Sequence, residues 1–369
     1  MNQPTCIDLF CGVGGFTQAA QDAGLDVVAG IDFDEDVLET WHENFPDGQP
    51  IHADLTQTSP SNLKEQIPTD DIDVITAAPP CNTVSKVNRG SDTPTSAIPA
   101  TGYLISELQP DIFVFENVPQ LKHQYERLVS RFKSFVTDEY TVSAKVLNAA
   151  DYGTPQHRLR YLMVGIRDDV LVGKHVQFSR PTHGEYGEKQ LVTAGKALSD
   201  VDSPPNPKAL QPNIHYDDLK RIPPGLNYSF YTEKRGCPNP KWKWRSKFSD
   251  FLRKADPDEP SHTLKANDGS GNGPYHWNNR RFSIPEFKQL MGFPNEFAVP
   301  SSRSRAKQQL GKAIPPQLAY YTVRAGYLQS KLRPSLVDSG KSLDVYTRKR
   351  TDSDELQRKA EEQYEELQW

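Results

Sequence analysis

Residues 5–33 read TCIDLFCGVGGFTQAAQDAGLDVVAGIDF: an apolar run, a glycine-rich turn, a helix-like stretch and a second apolar run. Runs this short suit strands, and the stretch between them has helical spacing, so the chain opens with a strand–helix–strand unit. The alternation continues through DEDVLETWHENF, DVITAA, ATGYLISEL, DIFVFENV, QYERLVSRFKSFV, YTVSAKVL and YLMVGIR. Such repetition predicts an α/β fold, a mostly parallel, doubly wound sheet with helices on both faces. After about Val170 the pattern breaks down, and residues 171–280, rich in Pro, Gly, Asn and charge, read as a second, smaller domain with little helix. Helical periodicity returns in SIPEFKQLMGF and QLAYYTVRAGYLQSKL. The expected division is therefore 1–170, 171–280, a return to the first domain over 281–330, and a polar tail over 331–369. The tail's DSDELQRKAEEQYEELQW suits a solvated or a partner-binding helix.

The 369 residues can bury a substantial core. No run of about 18 apolar residues is present to span a bilayer, and the start MNQPTCIDLF lacks the regions of a secretory signal, so an intracellular, cytoplasmic protein is expected. Cys6, Cys11, Cys81 and Cys237 show no paired metal spacing; free thiols and no metal are the expectation. The net charge is −5, yet Arg221 to Lys254 carries nine basic residues against Glu233 and Asp250 alone, a local net of +7. Tyr228, Phe230, Tyr231, Trp242, Trp244, Phe248 and Phe251 are interleaved with those charges. Two readings stand level: a surface for phosphates and bases, or a solvated basic loop over a small aromatic core.

Glycines between a first strand and its helix let a cofactor approach the backbone at a helix N-terminus. The dinucleotide fingerprint G-x-G-x-x-G fails here, because Gly12 and Gly14 are followed by Thr17 where the third glycine belongs. Asp32-Phe33-Asp34 ends the second apolar run about 20 residues on, where an acidic residue binds ribose hydroxyls. Phe33 can pack on an adenine face and Asp54 can accept from an exocyclic amine. Several such features in order favour a nucleoside cofactor over an ordinary turn with capping carboxylates. Further on, Pro79 and Pro80 end the run DVITAA and hold the next residue, Cys81, in a preset loop at a strand's carboxyl end.

In order, DLFCGVGGF (8–16), IDFD (31–34), AAPPCNTVS (77–85), FENVPQL (115–121), DYGTPQHRLRYLMVGIR (151–167), RRFSIPEFKQLMGFP (280–294) and QQLGKAIPPQLA (308–319) resemble the motif series of the DNA cytosine-5 methyltransferases, prokaryotic type. The resemblance covers residues 5–170 and 280–326. It implies a Rossmann-like S-adenosylmethionine-dependent methyltransferase sheet, with a target-recognition domain where this chain carries its basic aromatic segment. It also implies double-stranded DNA as partner, a target cytosine flipped from the duplex, and monomeric action. Cys81 matches the thiolate that adds to carbon 6 of cytosine, and Glu116 the residue that hydrogen-bonds N3 and the exocyclic amine. Arg160 matches the arginine on O2, and Arg158 the one that supports the cysteine loop and favours its thiolate. For S-adenosylmethionine the resemblance implies Phe10, the turn Gly12, Gly14 and Gly15, Asp32 at the ribose, Phe33, Asp54 and Leu55 at the adenine, with Pro79 and Lys312. Candidate DNA contacts are Ser85, Arg235, Lys241, Arg245 and Thr263.

Two departures stand out. Asn82 and Val84 replace a glutamine and a phenylalanine after the cysteine, and Lys312 follows Gly311 where the family has asparagine. Lysine cannot copy an amide's acceptor, although it can reach a cofactor carboxylate. Neither change removes a reacting group. Competing expectations are a DNA-binding protein whose catalysis has decayed and an RNA methyltransferase using the same chemistry.

Overall fold

The computed structural model describes residues 3–80, 97–124, 126–267, 269, 271–332 and 353–367; the candidates Cys81 and Ser85 lie outside them. The opening unit is strand β1 (Thr5–Leu9), helix α1 (Gly15–Asp22) and strand β2 (Asp26–Asp32), followed by α2 (Glu35–Asn44), β3 (Gln49–His52), α3 (Pro60–Lys64) and β4 (Val74–Ala77). Then come α4 (Ala97–Leu108), β5 (Ile112–Asn117), α5 (Leu121–Gln124), α6 (Glu126–Val136), β6 (Tyr140–Asn148), the two-residue β7 (Gln156–His157) and β8 (Leu159–Arg167).

Seven strands form one sheet in the order β3-β2-β1-β4-β5-β8-β6. The first five are mutually parallel, and β8 runs antiparallel to both β5 and β6. The antiparallel strand has a local cause. A parallel neighbour needs a crossover connection, and only the short 3₁₀ turn Ala149–Tyr152 and β7 separate β6 from β8. Strand residues alternate between two cores. Cys6, Val74, Ile112 and Val114 meet α1, α2 and the later helix α11 (Pro316–Leu328) on one face. Ile7, Ile75, Phe113 and Phe115 meet α4 and α6 on the other. Both faces are covered, so β4 and β5 are buried at every residue. Between β1 and β4 the direction of strand succession reverses, which leaves a crevice at their carboxyl ends.

Beyond β8 the short helices α7 (Ala194–Ala197) and α8 (Tyr216–Arg221), 3₁₀ turns and loops dominate, with β9 (Ser261–His262) pairing parallel to β7. Leu219, Ile222, Leu226, Tyr228, Phe230, Tyr231 and Leu252 form a separate small core. The interleaved aromatics therefore divide: most build this core, while Trp244 and Phe248 stay 46% and 43% exposed. The chain returns to the sheet through α9 (Ile284–Met291), α10 (Arg303–Lys312) and α11 (Pro316–Leu328). A buried ion pair marks that return, Arg280 donating to both carboxylate oxygens of Glu286 at 2.7 Å, while the Ser283 and Glu286 side chains box the start of α9.

The tail ends in α12 (Ser353–Glu366), which docks on the small aromatic core through Ala360 and Tyr364, with Leu356 and Leu367 beside them. Tyr364 stacks on Phe230 with ring centroids 4.6 Å apart and donates its hydroxyl to the Phe230 carbonyl; Lys359 pairs with Asp256 at 2.7 Å. The expected polar tail thus carries an apolar stripe matched to its own chain. Truncating a buried aromatic costs roughly 3–5 kcal/mol. Tyr364→Ala should accordingly speed hydrogen exchange of the amides of Phe230 and Thr232, leaving the amides of β4 and β5 as protected as in the unaltered protein.

Candidate active site

The crevice is lined by the chain leaving β1, β2, β3, β4 and β5. After β1 the backbone turns sharply, with Phe10 at φ 54°, Gly12 at 53° and Gly14 at 96°. The Cys11 amide donates to the Ile31 carbonyl at 3.0 Å and so ties this turn to β2. Asp32 completes the tie: one carboxylate oxygen accepts the Gly12 amide at 3.0 Å and the other the Asp34 amide at 3.1 Å. Burial raises its pKa, and the backbone donors oppose that rise. A Cβ at Gly15 would meet the Ile314 carbonyl at 2.3 Å, so the loop after α10 presses on the first turn. At Gly12 an added Cβ meets nothing within 4 Å, and the turn therefore borders open space. Phe33 stands 62% exposed beside it. Leu55 is buried, whereas Asp54 is exposed, one of its oxygens accepting the Thr56 amide and hydroxyl at 2.9 and 2.7 Å. Lys312, the last residue of α10, is exposed.

A buried relay underlies the turn. Asp8, fully enclosed in β1, accepts the hydroxyls of Thr17 on α1 at 2.7 Å and Thr76 on β4 at 2.8 Å, and the Trp41 indole donates to Thr17 at 2.8 Å. Burial lifts the Asp8 pKa to about 7. Sequence reading missed this residue, although a carboxylate inside an apolar strand was its signal.

The second half of the crevice is built where β4 and β5 end. Pro79 is buried, and its carbonyl accepts the Asn117 carboxamide at 3.0 Å; the Asn117 side-chain oxygen accepts the Val118 amide at 2.9 Å. The backbone entering Cys81 is thereby anchored to the end of β5. Asn117 went unread because its role depends on a partner 38 positions away. Its neighbour Glu116 is buried and meets the Arg160 Nε at 2.6 Å. Burial raises the Glu116 pKa against the opposing charges of Arg160 and Arg158. Arg160 also donates to the Leu159 carbonyl at 2.8 Å. Arg158, 1% exposed, donates to the Leu264 carbonyl at 3.0 Å and to those of Gly311 and Ala313 at 2.8 and 2.9 Å.

The five candidate DNA contacts scatter. Thr263, directly after β9, donates its hydroxyl to the His157 carbonyl at 2.7 Å. Lys241 binds both oxygens of Asp218 at 2.7 and 2.8 Å, and Arg235 reaches Gln357 of α12 at 3.4 Å, so both serve the local fold. Arg245 is exposed, and Ser85 lies outside the described residues. Among the described residues no group of three or more His, Cys, Asp or Glu side chains can hold a metal, and no helix is long and apolar enough to cross a membrane.

Comparison with known proteins bears on this geometry. The type II methyltransferase M.SacI of Streptomyces achromogenes is 30% identical over 88% of this chain and 94% of its own, and M.NgoFVII of Neisseria gonorrhoeae is 30% identical over 86% and 84%. Among solved structures, a putative DNA modification methyltransferase encoded within an E. coli prophage shares the fold with a TM-score of 0.67 at 22% identity, covering 89% of this chain and 99% of that one. The S. pombe Dnmt2 methyltransferase does so at 0.64 and 14% identity, over 88% and 98%. The family model described as C-5 cytosine-specific DNA methylase matches residues 4–326, from just before β1 to within the last turn of α11, and to that family the chain belongs.

Proposed function

We propose that the protein transfers a methyl group from S-adenosylmethionine to carbon 5 of a cytosine flipped out of a specific duplex sequence, through a covalent adduct with Cys81. The observation that carries this reading is the Asn117 clamp on Pro79. It holds the approach to Cys81 beside the buried Glu116–Arg160 pair, at the same strand edge as the glycine turn.

The residues at the turn fit the proposed donor. Open space over Gly12 admits a ligand against the backbone, and the exposed Phe33 ring offers a face for the adenine. Asp32 is fixed at the ribose position, with Leu55 and the free edge of Asp54 beyond it, and Phe10, Gly14 and Gly15 shape the turn. Lys312 carries a cation suited to the donor's carboxylate. When bound, the donor supplies an electrophilic methyl group.

The remaining chemistry falls to the chain's own side chains. Cytosine carbon 5 is a weak nucleophile until the Cys81 thiolate adds to carbon 6 and pushes an electron pair toward carbon 5. Glu116, whose burial favours a held proton, hydrogen-bonds N3 and the exocyclic amine and so stabilises the charge that the addition creates. Arg160 orients Glu116 and meets O2. After carbon 5 has taken the methyl group, loss of its proton returns the electron pair and expels Cys81. Flipping the base costs roughly a few kcal/mol of unstacking. The middle segment is proposed as the target-recognition domain, the enzyme as monomeric, and its setting as a restriction-modification system, a reading supported by relatives described as type II methyltransferases.

Incubation with labelled S-adenosylmethionine and unmethylated duplex DNA of mixed sequence, followed by digestion to nucleosides, should place the label in 5-methylcytosine. Cys81→Ala should abolish that label, and retained turnover would sink the mechanism. Asn117→Ala frees the Pro79 carbonyl and should lower kcat by about 10²-fold, the cost of a misplaced reacting group, with little change in donor KM.

A further inference from the structure

The Phe33 ring is exposed, so the direction of its face depends on how the backbone around it is held. Two side chains hold that backbone. Asp32 accepts the Asp34 amide at 3.1 Å, and the Phe33 carbonyl meets Nε2 of His52 at 2.9 Å. His52 ends β3 and is the register partner of Asp32, so its ring reaches across the sheet to the chain leaving β2. Its other nitrogen, Nδ1, lies 3.1 Å from Glu35 Oε1 in the first turn of α2.

Both atoms that meet the ring are acceptors, a carbonyl and a carboxylate oxygen. A neutral imidazole has one N–H and one lone pair, so it satisfies one of them and turns its lone pair on the other. The imidazolium donates to both. The other ionisable groups at these strand ends, Asp32, Asp34 and Asp54, are acidic and favour the cation as well. Asp36, next along α2, is paired with Arg305 at 3.0 Å. An exposed tie of this kind adds little to stability, and its effect falls instead on the one carbonyl it holds.

Resting on the reading of Phe33 as the adenine platform, we infer that His52 is a positioning residue for the methyl donor. Its imidazolium ties the Phe33 carbonyl to Glu35 and so fixes the ring on which adenine stacks. The residue acts through the backbone rather than by contact with the donor. Because the protonated ring makes both bonds, the tie is complete at low pH. It loosens as pH rises through the titration of His52.

Titration calorimetry of the full chain with S-adenosylmethionine tests this from about pH 5 to about pH 8, the interval in which histidine side chains change charge. The unaltered protein is compared with His52→Gln and Glu35→Ala. The donor's amine and Asp32 are common to all three, so the ratio of affinities between proteins isolates the ring. Relative to His52→Gln, wild-type affinity should fall about threefold as pH rises, the worth of one exposed charged contact. Glu35→Ala leaves the ring a single acceptor, which the neutral form also satisfies, so its ratio to His52→Gln should stay close to constant. A histidine that merely supports the fold would change affinity by one factor at every pH. A constant wild-type ratio, or a pH dependence that survives Glu35→Ala, overturns the inference while leaving donor binding intact. A wild-type protein that binds no S-adenosylmethionine at any pH overturns the underlying donor reading instead.

Discussion

A guanidinium with almost no access to water holds three parts of this chain together. Arg158 enters just ahead of β8, its own amide held by the Asn148 side chain at 3.0 Å, and its nitrogens meet carbonyls contributed by Leu264, Gly311 and Ala313. A buried charge is tolerable only where polar partners replace its hydration, so these carbonyls must stay where they are. Their positions set the rest. Leu264 brings the middle segment back to the sheet, while Gly311 and Ala313 position Ile314, whose carbonyl leaves room only for glycine at position 15. One side chain thereby couples the middle segment to the glycine turn after β1. Beside its expected support of the cysteine loop, Arg158 ties the Leu264 segment and the end of α10 to the start of β8.

The crevice itself follows from topology. Reversal of strand order between β1 and β4 opens the sheet at its carboxyl edge, where the parallel strands β1, β2, β4 and β5 all end. Backbone hydrogen bonds, more than side-chain reach, decide the geometry. Asp32 fixes Gly12, and Asn117 fixes Pro79. Under the proposed function, such anchoring sets the approach to the reacting groups before substrate arrives, which is where positioning gains its rate advantage.

Much of this was legible because the signals were local. The glycine turn, Asp32, the Pro79-Pro80 stop and the carboxylate at position 116 each announce a strand end within a few residues. Signals that depend on distant partners were not legible. Asn117 reads as an ordinary loop amide until Pro79 is beside it, and Asp8 reads as a strand anomaly until Thr17 and Thr76 close around it. Charge was ambiguous in the same way: nothing in the sequence separates Lys241, bound to Asp218, from Arg245, which faces solvent. In the tail, Leu356, Ala360 and Tyr364 recur at four-residue spacing, a helical stripe masked by the acidic residues around it.

The central claim is that the anchored loop presents Cys81 to carbon 6 of a cytosine. Mixed-sequence duplex DNA carrying 5-fluorocytosine tests it directly, because fluorine at carbon 5 cannot leave as a proton and the thioether formed before methyl transfer persists. Mass mapping of the denatured complex should place the nucleotide on the peptide containing Cys81, and only when S-adenosylmethionine is present. A persistent adduct on any other residue, or methylated 5-fluorocytosine released without an adduct, would contradict the account.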